Sequence, residues 1–111
     1  MPYRSPVSEY KFVLDHVVGF TEVAETETYS EATPDTIDAI LTEVAKLSDE
    51  VLAPLNRNGD LDPARLENGV VRTSKGFADG YGAIRDGGWL GLSATPEYGG
   101  MGLPQTLNCA L

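Results

Sequence analysis

The stretch from Thr33 to Asn56, TPDTIDAILTEVAKLSDEVLAPLN, constrains the fold more than any other part of the sequence. Its apolar residues recur at steps of three and four, which places them on one stripe of an α-helix. Thr33 suits the N-cap, Pro34 the first helical position, and Asp35 the positive end of the helix. Because proline cannot continue a helix, Pro54 is predicted to end it. The stripe comprises Ile37, Ile40, Leu41, Val44, Leu47, Val51 and Leu52.

A shorter helix is predicted near the start of the chain, over residues 7–18, where several apolar residues fit helical spacing. Gly19 is expected to end it. The stretch 21–38 that follows carries acidic residues and no basic one. We expect much of it to be a solvated connection, with the last acids serving the start of the long helix.

A β-hairpin signal follows the long helix. Asn68 and Gly69 form the dipeptide most typical of a two-residue hairpin turn, between Leu66 and Val70. Two very short strands and a loose turn both fit the pattern. Because an isolated two-stranded ribbon is marginally stable, strands at this position are expected to lie on a helix.

A further helix is predicted over residues 74–86, with Thr73 or Ser74 as its N-cap and Gly87–Gly88 as its end. Each glycine inside it lowers helix stability by about 1 kcal/mol relative to alanine, so these positions are expected to serve close packing. The glycines are Gly76, Gly80 and Gly82, and the apolar face is formed by Phe77, Tyr81 and Ile84.

The packing of these elements can also be predicted. The apolar face of the helix over residues 74–86 is expected to pack on the helix over residues 34–52, with Trp89 buried near their ends. Pro104 suits the first position of a last helix, PQTLNCAL. The sequence contains little material for a sheet. The expected fold class is therefore all-α, a small helical bundle with at most one short β-hairpin.

Composition narrows the functions that such a chain can have. A length of 111 residues indicates a single domain. The net charge of −9 argues against nucleic acid or an anionic membrane as a partner, because both are bound through basic surfaces. No apolar run approaches the roughly 18 residues of a membrane span. Cys109 is the single cysteine, which excludes an internal disulfide and favours a reducing compartment. We therefore expect a cytoplasmic protein.

Few residues are candidates for chemistry. His16 is the single histidine, so a metal site is not expected, and we interpret it as a structural side chain. Cys109 has no histidine nearby in the sequence and is expected to be a small buried apolar residue. The run Gly80–Arg85 begins like a dinucleotide-binding fingerprint, but Arg85 stands where the third glycine belongs and no strand precedes it. We expect no catalytic, cofactor-binding or metal-binding residue, and substrate contacts stay undefined.

The run GGWLGLSATPEYGGMGLP, Gly87–Pro104, resembles the N-terminal helical domain of the acyl-CoA dehydrogenase family. The resemblance combines an aromatic residue and several glycines at fixed spacing over eighteen residues. Upstream, EVLAPLNRNGD and RLENGVVRTSKGFADGY are similar to the first two helices of that domain and their linker. The opening YRSPVSEYKFVLDHVVGF resembles the N-terminal extension of larger members such as the 3-methylmercaptopropionyl-CoA dehydrogenases.

The resemblance implies an extension over residues 1–32 and an incomplete N-terminal helical domain over residues 33–111. It also implies that a whole protein would bind FAD, α,β-dehydrogenate an acyl-CoA thioester, pass electrons to an electron-transfer flavoprotein and form a homo-oligomer. The flavin domain and the catalytic glutamate of the family have no counterpart here, so the chain alone is expected to be an inactive, truncated part that binds no FAD. An alternative interpretation is a stand-alone helical protein-interaction module.

The glycine loop acquires a role through the same resemblance. In the family it turns the chain into the next helix, packed against other domains. Gly99, Gly100 and Gly102 are expected to permit a close approach of backbones. Tyr98 and Met101 are expected to pack against neighbouring segments. We therefore interpret Tyr98–Gly102 as a structural loop.

Overall fold

The computed structural model describes residues 2–111, which form helices and one antiparallel hairpin. This confirms the predicted all-α class with a short hairpin. Short 3-10 turns lie at Glu27–Tyr29, Trp89–Gly91 and Pro96–Tyr98. The main elements are α1 Val7–His16, α2 Phe20–Ala24, α3 Pro34–Lys46, a π-helical segment Leu47–Leu52 (the π segment), α4 Ala53–Leu61, β1 Arg65–Glu67, β2 Val70–Arg72, α5 Phe77–Asp86 and α6 Gln105–Ala110.

The long helix begins as predicted but does not end at Pro54. The Thr33 hydroxyl accepts a hydrogen bond from the Thr36 amide at 3.2 Å, and Pro34 occupies the first turn. The helix then widens into the π segment, where the Ala53 amide donates to the carbonyl of Ser48, five residues back. Pro54 therefore lies at the start of a new α-helical stretch, where its missing N–H is tolerated. The predicted end was wrong for this reason.

The acidic stretch after Gly19 is more ordered than expected. Gly19 adopts a left-handed conformation, φ +69°, which turns the chain from α1 into α2. Phe20 at the start of α2 is 2% exposed, and Ala32 before α3 is fully buried. These two apolar side chains anchor the stretch at its two ends, whereas most residues of 21–38 are exposed, as expected for a largely solvated connection.

The hydrophobic core lies between α1, α3 and the C-terminal part of the chain. It draws on the predicted apolar stripe of α3 through Leu41, but also on Leu14 of α1 and Leu107 of α6. The division of the chain at residue 32 stays a prediction, and side chains from both sides of it share this core. The cluster of buried residues is Leu14, Phe20, Ala32, Leu41, Leu92, Leu103 and Leu107.

The predicted packing of α5 on the helix over residues 34–52 is confirmed at the C-terminal end of that range, and α4 is a further partner that was not predicted. This helix packs on the π segment and α4, beyond the buried part of the α3 stripe. A Cβ atom at Gly76 or at Gly80 would lie 2.7 Å from a methyl group of Leu55, so both glycines permit close packing as expected. At Gly82 the nearest atom is an Arg85 guanidinium nitrogen at 3.9 Å, so that expectation was wrong.

Two local predictions around α5 also need correction. The N-cap is Gly76, in a left-handed conformation with φ +87°, and not Thr73 or Ser74. Ser74 is buried, and its backbone carbonyl accepts a hydrogen bond from the Phe77 amide. Trp89 is half-buried against the core and not fully buried, since it begins a 3-10 turn at the edge of the bundle.

The hairpin forms at Asn68-Gly69 as predicted. Both turn residues have positive φ, +52° and +76°, which matches the twist of a two-residue hairpin. Leu66 pairs with Val71, and their side chains are 74% and 64% exposed. All six strand residues are exposed, so the expectation that the strands lie on a helix is wrong for the described residues.

A polar contact ties the start of the chain to the π segment. One carboxylate oxygen of Asp49 accepts hydrogen bonds from the Ser5 amide at 2.8 Å and from the Ser5 hydroxyl at 2.7 Å. The Asp49 side chain is 15% exposed, and Arg4 lies 3.9 Å from its second oxygen. These bonds hold Ser5 against the π segment.

We expect Asp49→Ala to lower the free energy of unfolding by about 1–3 kcal/mol, because both Ser5 donors lose a largely buried charged acceptor. Urea denaturation at fixed protein concentration measures the loss. Glu50→Ala is the matched control, since Glu50 is exposed. Equal stability of the two variants would contradict the role of the Ser5–Asp49 contact.

Candidate functional site

The glycine loop folds back on the segment before it. The amides of Met101, Gly102 and Leu103 donate hydrogen bonds of 3.0, 2.8 and 3.1 Å to carbonyls within residues 91–94. Three consecutive donors therefore join two stretches of backbone without a regular strand. The acceptors are Gly91 for Met101, Ala94 for Gly102 and Leu92 for Leu103.

Gly100 lies where the two stretches cross. A Cβ atom on this residue would lie 2.0 Å from the carbonyl oxygen of Ala94, so no side chain fits there. Gly99 and Gly102 have φ of +80° and +65°, a conformation that other residues rarely adopt. The close approach of backbones expected from the sequence occurs at Gly100, where the chain approaches its own residues 91–94. At Gly99 the expectation was wrong, because no atom lies within 4 Å of an added Cβ and the glycine serves the positive φ alone.

The loop positions the last helix. Leu92 on one side of the crossing is fully buried, and Leu103 on the other is 5% exposed. Pro104 follows as the N-cap and α6 begins at Gln105, so the helix starts one residue later than predicted. The crossing therefore fixes the direction in which α6 enters the core.

The two large side chains of the loop point away from this crossing. Tyr98 is 82% exposed and Met101 is 39% exposed. Their predicted packing against neighbouring segments is absent for Tyr98 among residues 2–111 and incomplete for Met101. A structural role for Tyr98–Gly102 as a whole stays a prediction.

His16 and Cys109 lie apart from the loop crossing. His16 is exposed, and its ring centre lies 4.9 Å from that of Phe12. Cys109 is exposed, which corrects the predicted burial: α6 turns Leu107 into the core, and a residue two positions later faces away from it. Within residues 2–111, no group of histidine, cysteine and acidic side chains is arranged to hold a metal ion.

An apolar groove runs along α4 and α5. Leu52, Leu55, Phe77, Tyr81 and Ile84 line a shallow depression of about 330 Å³. A second depression of about 340 Å³ adjoins it at Leu52 and Asn56. The apolar face of α5 therefore contacts the π segment and α4 along one edge and is open along the other, where Tyr81 is 57% exposed.

The chain has an open shape with much apolar surface. Its radius of gyration is 16.7 Å, whereas a compact domain of this length has roughly 13 Å. It measures 52 × 37 × 19 Å. Among the helices of residues 2–111, none combines the length and the apolar character of a membrane span.

We expect the chain to self-associate, because large exposed apolar patches favour association and salt screens the net charge beyond about 8 Å. Light scattering over a concentration series should show a mass that rises with concentration. Tyr81→Lys should reduce this rise, whereas Tyr98→Lys, outside the groove, serves as the control. A monomer at all concentrations would favour a self-sufficient module.

The chain is similar to a known dehydrogenase over nearly all of its length. It is 39% identical over 110 residues to 3-methylmercaptopropionyl-CoA dehydrogenase of Ruegeria pomeroyi. The match covers 99% of this chain and 19% of that protein, so the chain spans about a fifth of its curated relative. No family model matches the chain. The resemblance to an acyl-CoA dehydrogenase-like protein is confirmed by this relative.

Proposed function

We propose that this chain serves as the N-terminal helical domain of a FAD-dependent acyl-CoA dehydrogenase in the cytoplasm. One observation carries the proposal: 39% identity to a protein of that name, extending over 99% of the chain. An identity of this size spread along the whole chain is expected when two segments share one fold and one place in a larger enzyme. The proposed reaction is the α,β-dehydrogenation of an acyl-CoA thioester by that larger enzyme.

The role of this chain within the enzyme is structural. Its residues do not fit FAD by themselves: no buried side-chain polar atom in residues 2–111 lacks a hydrogen-bond partner, and the net charge is −9. We propose that the glycine loop and the α4–α5 groove contact the other domains. Those domains would hold the flavin, the acyl-CoA and the catalytic base, and would engage an electron-transfer flavoprotein and further subunits.

A chimaeric enzyme tests this proposal. The segment of the Ruegeria pomeroyi relative that matches this chain is replaced by residues 2–111, and the purified protein is assayed for bound flavin and for oxidation of the CoA thioester in its name. We expect retained flavin and activity in the chimaera. The relative without any such segment should lose both.

The proposal would be overturned by either of two results. The first is a relative that keeps full flavin content and activity when the segment is deleted. The second is a chimaera that is folded and soluble but contains no flavin. A chimaera that also carries Gly100→Ala, which blocks the loop crossing, is the control. Loss of flavin and activity in this variant would show that the enzyme needs the fold of the segment. Retention would show that it needs only a segment of this length.

We expect the isolated chain to bind neither FAD nor acyl-CoA. The net charge of −9 opposes ligands that carry phosphate groups, and the exposed apolar groove has no basic side chain in its lining. Titration calorimetry with FAD and with a series of acyl-CoA thioesters measures this. A stoichiometric complex at micromolar concentration with either ligand would contradict the proposed division of roles.

A further inference from the structure

A further cavity lies between α1, α2 and the start of α3, and it shares no lining residue with the α4–α5 groove. It has a volume of about 450 Å³, within the range of small-molecule sites. Leu14, Phe20 and Ala32, which are at most 5% exposed, form its floor, so it reaches into the hydrophobic core. We call it the α1–α3 cleft.

The mouth of the cleft is acidic. Lys11 donates a 2.5 Å hydrogen bond to Asp38, which links α1 to α3 and raises the pKa of Lys11 above its ordinary value. That cation is therefore already paired with a carboxylate of the chain. Asp15 and Glu25 also line the cleft, and neither lies within 4.0 Å of a basic group among residues 2–111.

The surroundings of the cleft are also predominantly negatively charged. The four charged groups at and beside the mouth are Lys11, Asp15, Glu25 and Asp38, one positive and three negative. Most of the lining residues come from the stretch 21–38, which contains no basic residue, and the chain as a whole carries −9. The potential at the mouth therefore favours a cation and disfavours an anion.

We propose that the α1–α3 cleft binds a small molecule with an apolar body and a cationic head, of the alkylammonium class. The apolar body would lie on Leu14, Phe20 and Ile37, and the ammonium group would lie at the mouth beside Asp15 and Glu25. The hydroxyls of Thr21 and Ser30 line the same cleft and can accept hydrogen bonds from the head. This inference does not depend on the proposed function.

The test compares three probes of equal chain length: hexylammonium, hexanol and hexanoate. The full chain is titrated with each, and backbone amide NMR signals report affinity and location. We expect hexylammonium to bind at least about tenfold more tightly than hexanoate, because the acidic mouth attracts one and repels the other. The signals of residues 14–37 should move, and those of residues 77–84 should not.

Two substitutions with matched controls test the site itself. Ala24→Leu places three extra carbon atoms in the cleft and should weaken hexylammonium binding by about tenfold or more, whereas Ala39→Leu on the exposed face of α3 should not. Glu25→Gln should weaken hexylammonium by about threefold and leave hexanol unchanged, with Glu22→Gln, which lies outside the cleft, as the control.

Three results would overturn the proposal. One is hexanoate binding as tightly as hexylammonium, and another is probe shifts confined to the α4–α5 groove. The third is the absence of saturable hexylammonium binding up to about 10 mM, which would indicate that the cleft is closed by a protein side chain or holds only water. The comparison of the three probes uses the unsubstituted chain, so it stands even if Ala24→Leu fails to fold.

Discussion

Replacing Leu41 by aspartate is expected to abolish the cooperative unfolding of this chain. Leu41 is 4% exposed and lies in the central cluster of buried leucines. The substitution removes a buried apolar side chain, worth about 2–5 kcal/mol, and places a carboxylate in a cluster of buried apolar residues. Together these losses are comparable to the roughly 5–15 kcal/mol that stabilise a typical domain. Val44→Asp, at 9% exposure, should act in the same way.

Circular dichroism during heating and during urea titration measures this effect at a fixed protein concentration. Ala39→Asp is the matched control, because Ala39 is exposed on the same helix. It should keep a cooperative transition and lose at most about 1 kcal/mol through lower helix propensity. If both core variants melted like the unsubstituted chain, the stripe of α3 would not form the core.

The elements that were predicted correctly are specified by residues that lie close together in the sequence. Thr33 and Pro34 define the start of α3 through a side-chain cap and a preset φ, and both operate within the first turn. Asn68-Gly69 defines the hairpin in the same way, because the turn residues themselves provide the positive φ. Such signals do not depend on the rest of the molecule, so the sequence alone reveals them.

The elements predicted wrongly depend on contacts that lie far apart in the sequence. Pro54 continues the long helix because the π segment widens ahead of it, and Asp49 in that segment is held by Ser5, 44 residues away. Cys109 is exposed because Leu107, and not the cysteine, reaches the core. The hairpin leaves Leu66 exposed because no helix of residues 2–111 covers it. Local patterns contain no information on these contacts.

The candidate site shows the same limit. The glycine loop was identified from its spacing and its resemblance to a family, but the sequence does not reveal that the approaching backbone belongs to residues 91–94. The α1–α3 cleft was missed entirely, because the stretch 21–38 has the composition of a solvated connection. Phe20, Ala24 and Ala32 were the available signal, as apolar residues beside and within an acidic run.

Gly100→Ala is expected to disrupt the loop crossing, although it adds a single carbon atom. That atom would lie 2.0 Å from the carbonyl oxygen of Ala94, well inside a normal carbon–oxygen contact of about 3.3 Å. The neighbour is backbone and cannot rotate away, so the two stretches must separate. Separation breaks the hydrogen bonds donated by Met101, Gly102 and Leu103, worth about 0.5–1.5 kcal/mol each.

We therefore expect Gly100→Ala to lower the free energy of unfolding by about 2–4 kcal/mol. Gly82→Ala is the control with the opposite sign: it lies in α5, the nearest atom to the added carbon is 3.9 Å away, and the substitution should raise stability by up to about 1 kcal/mol. Hydrogen exchange adds a local readout, because the amides of Met101, Gly102 and Leu103 should exchange faster in Gly100→Ala alone. Unchanged exchange at these three amides would show that the backbone stretches do not cross at Gly100, and the loop would then be an ordinary turn that tolerates a side chain.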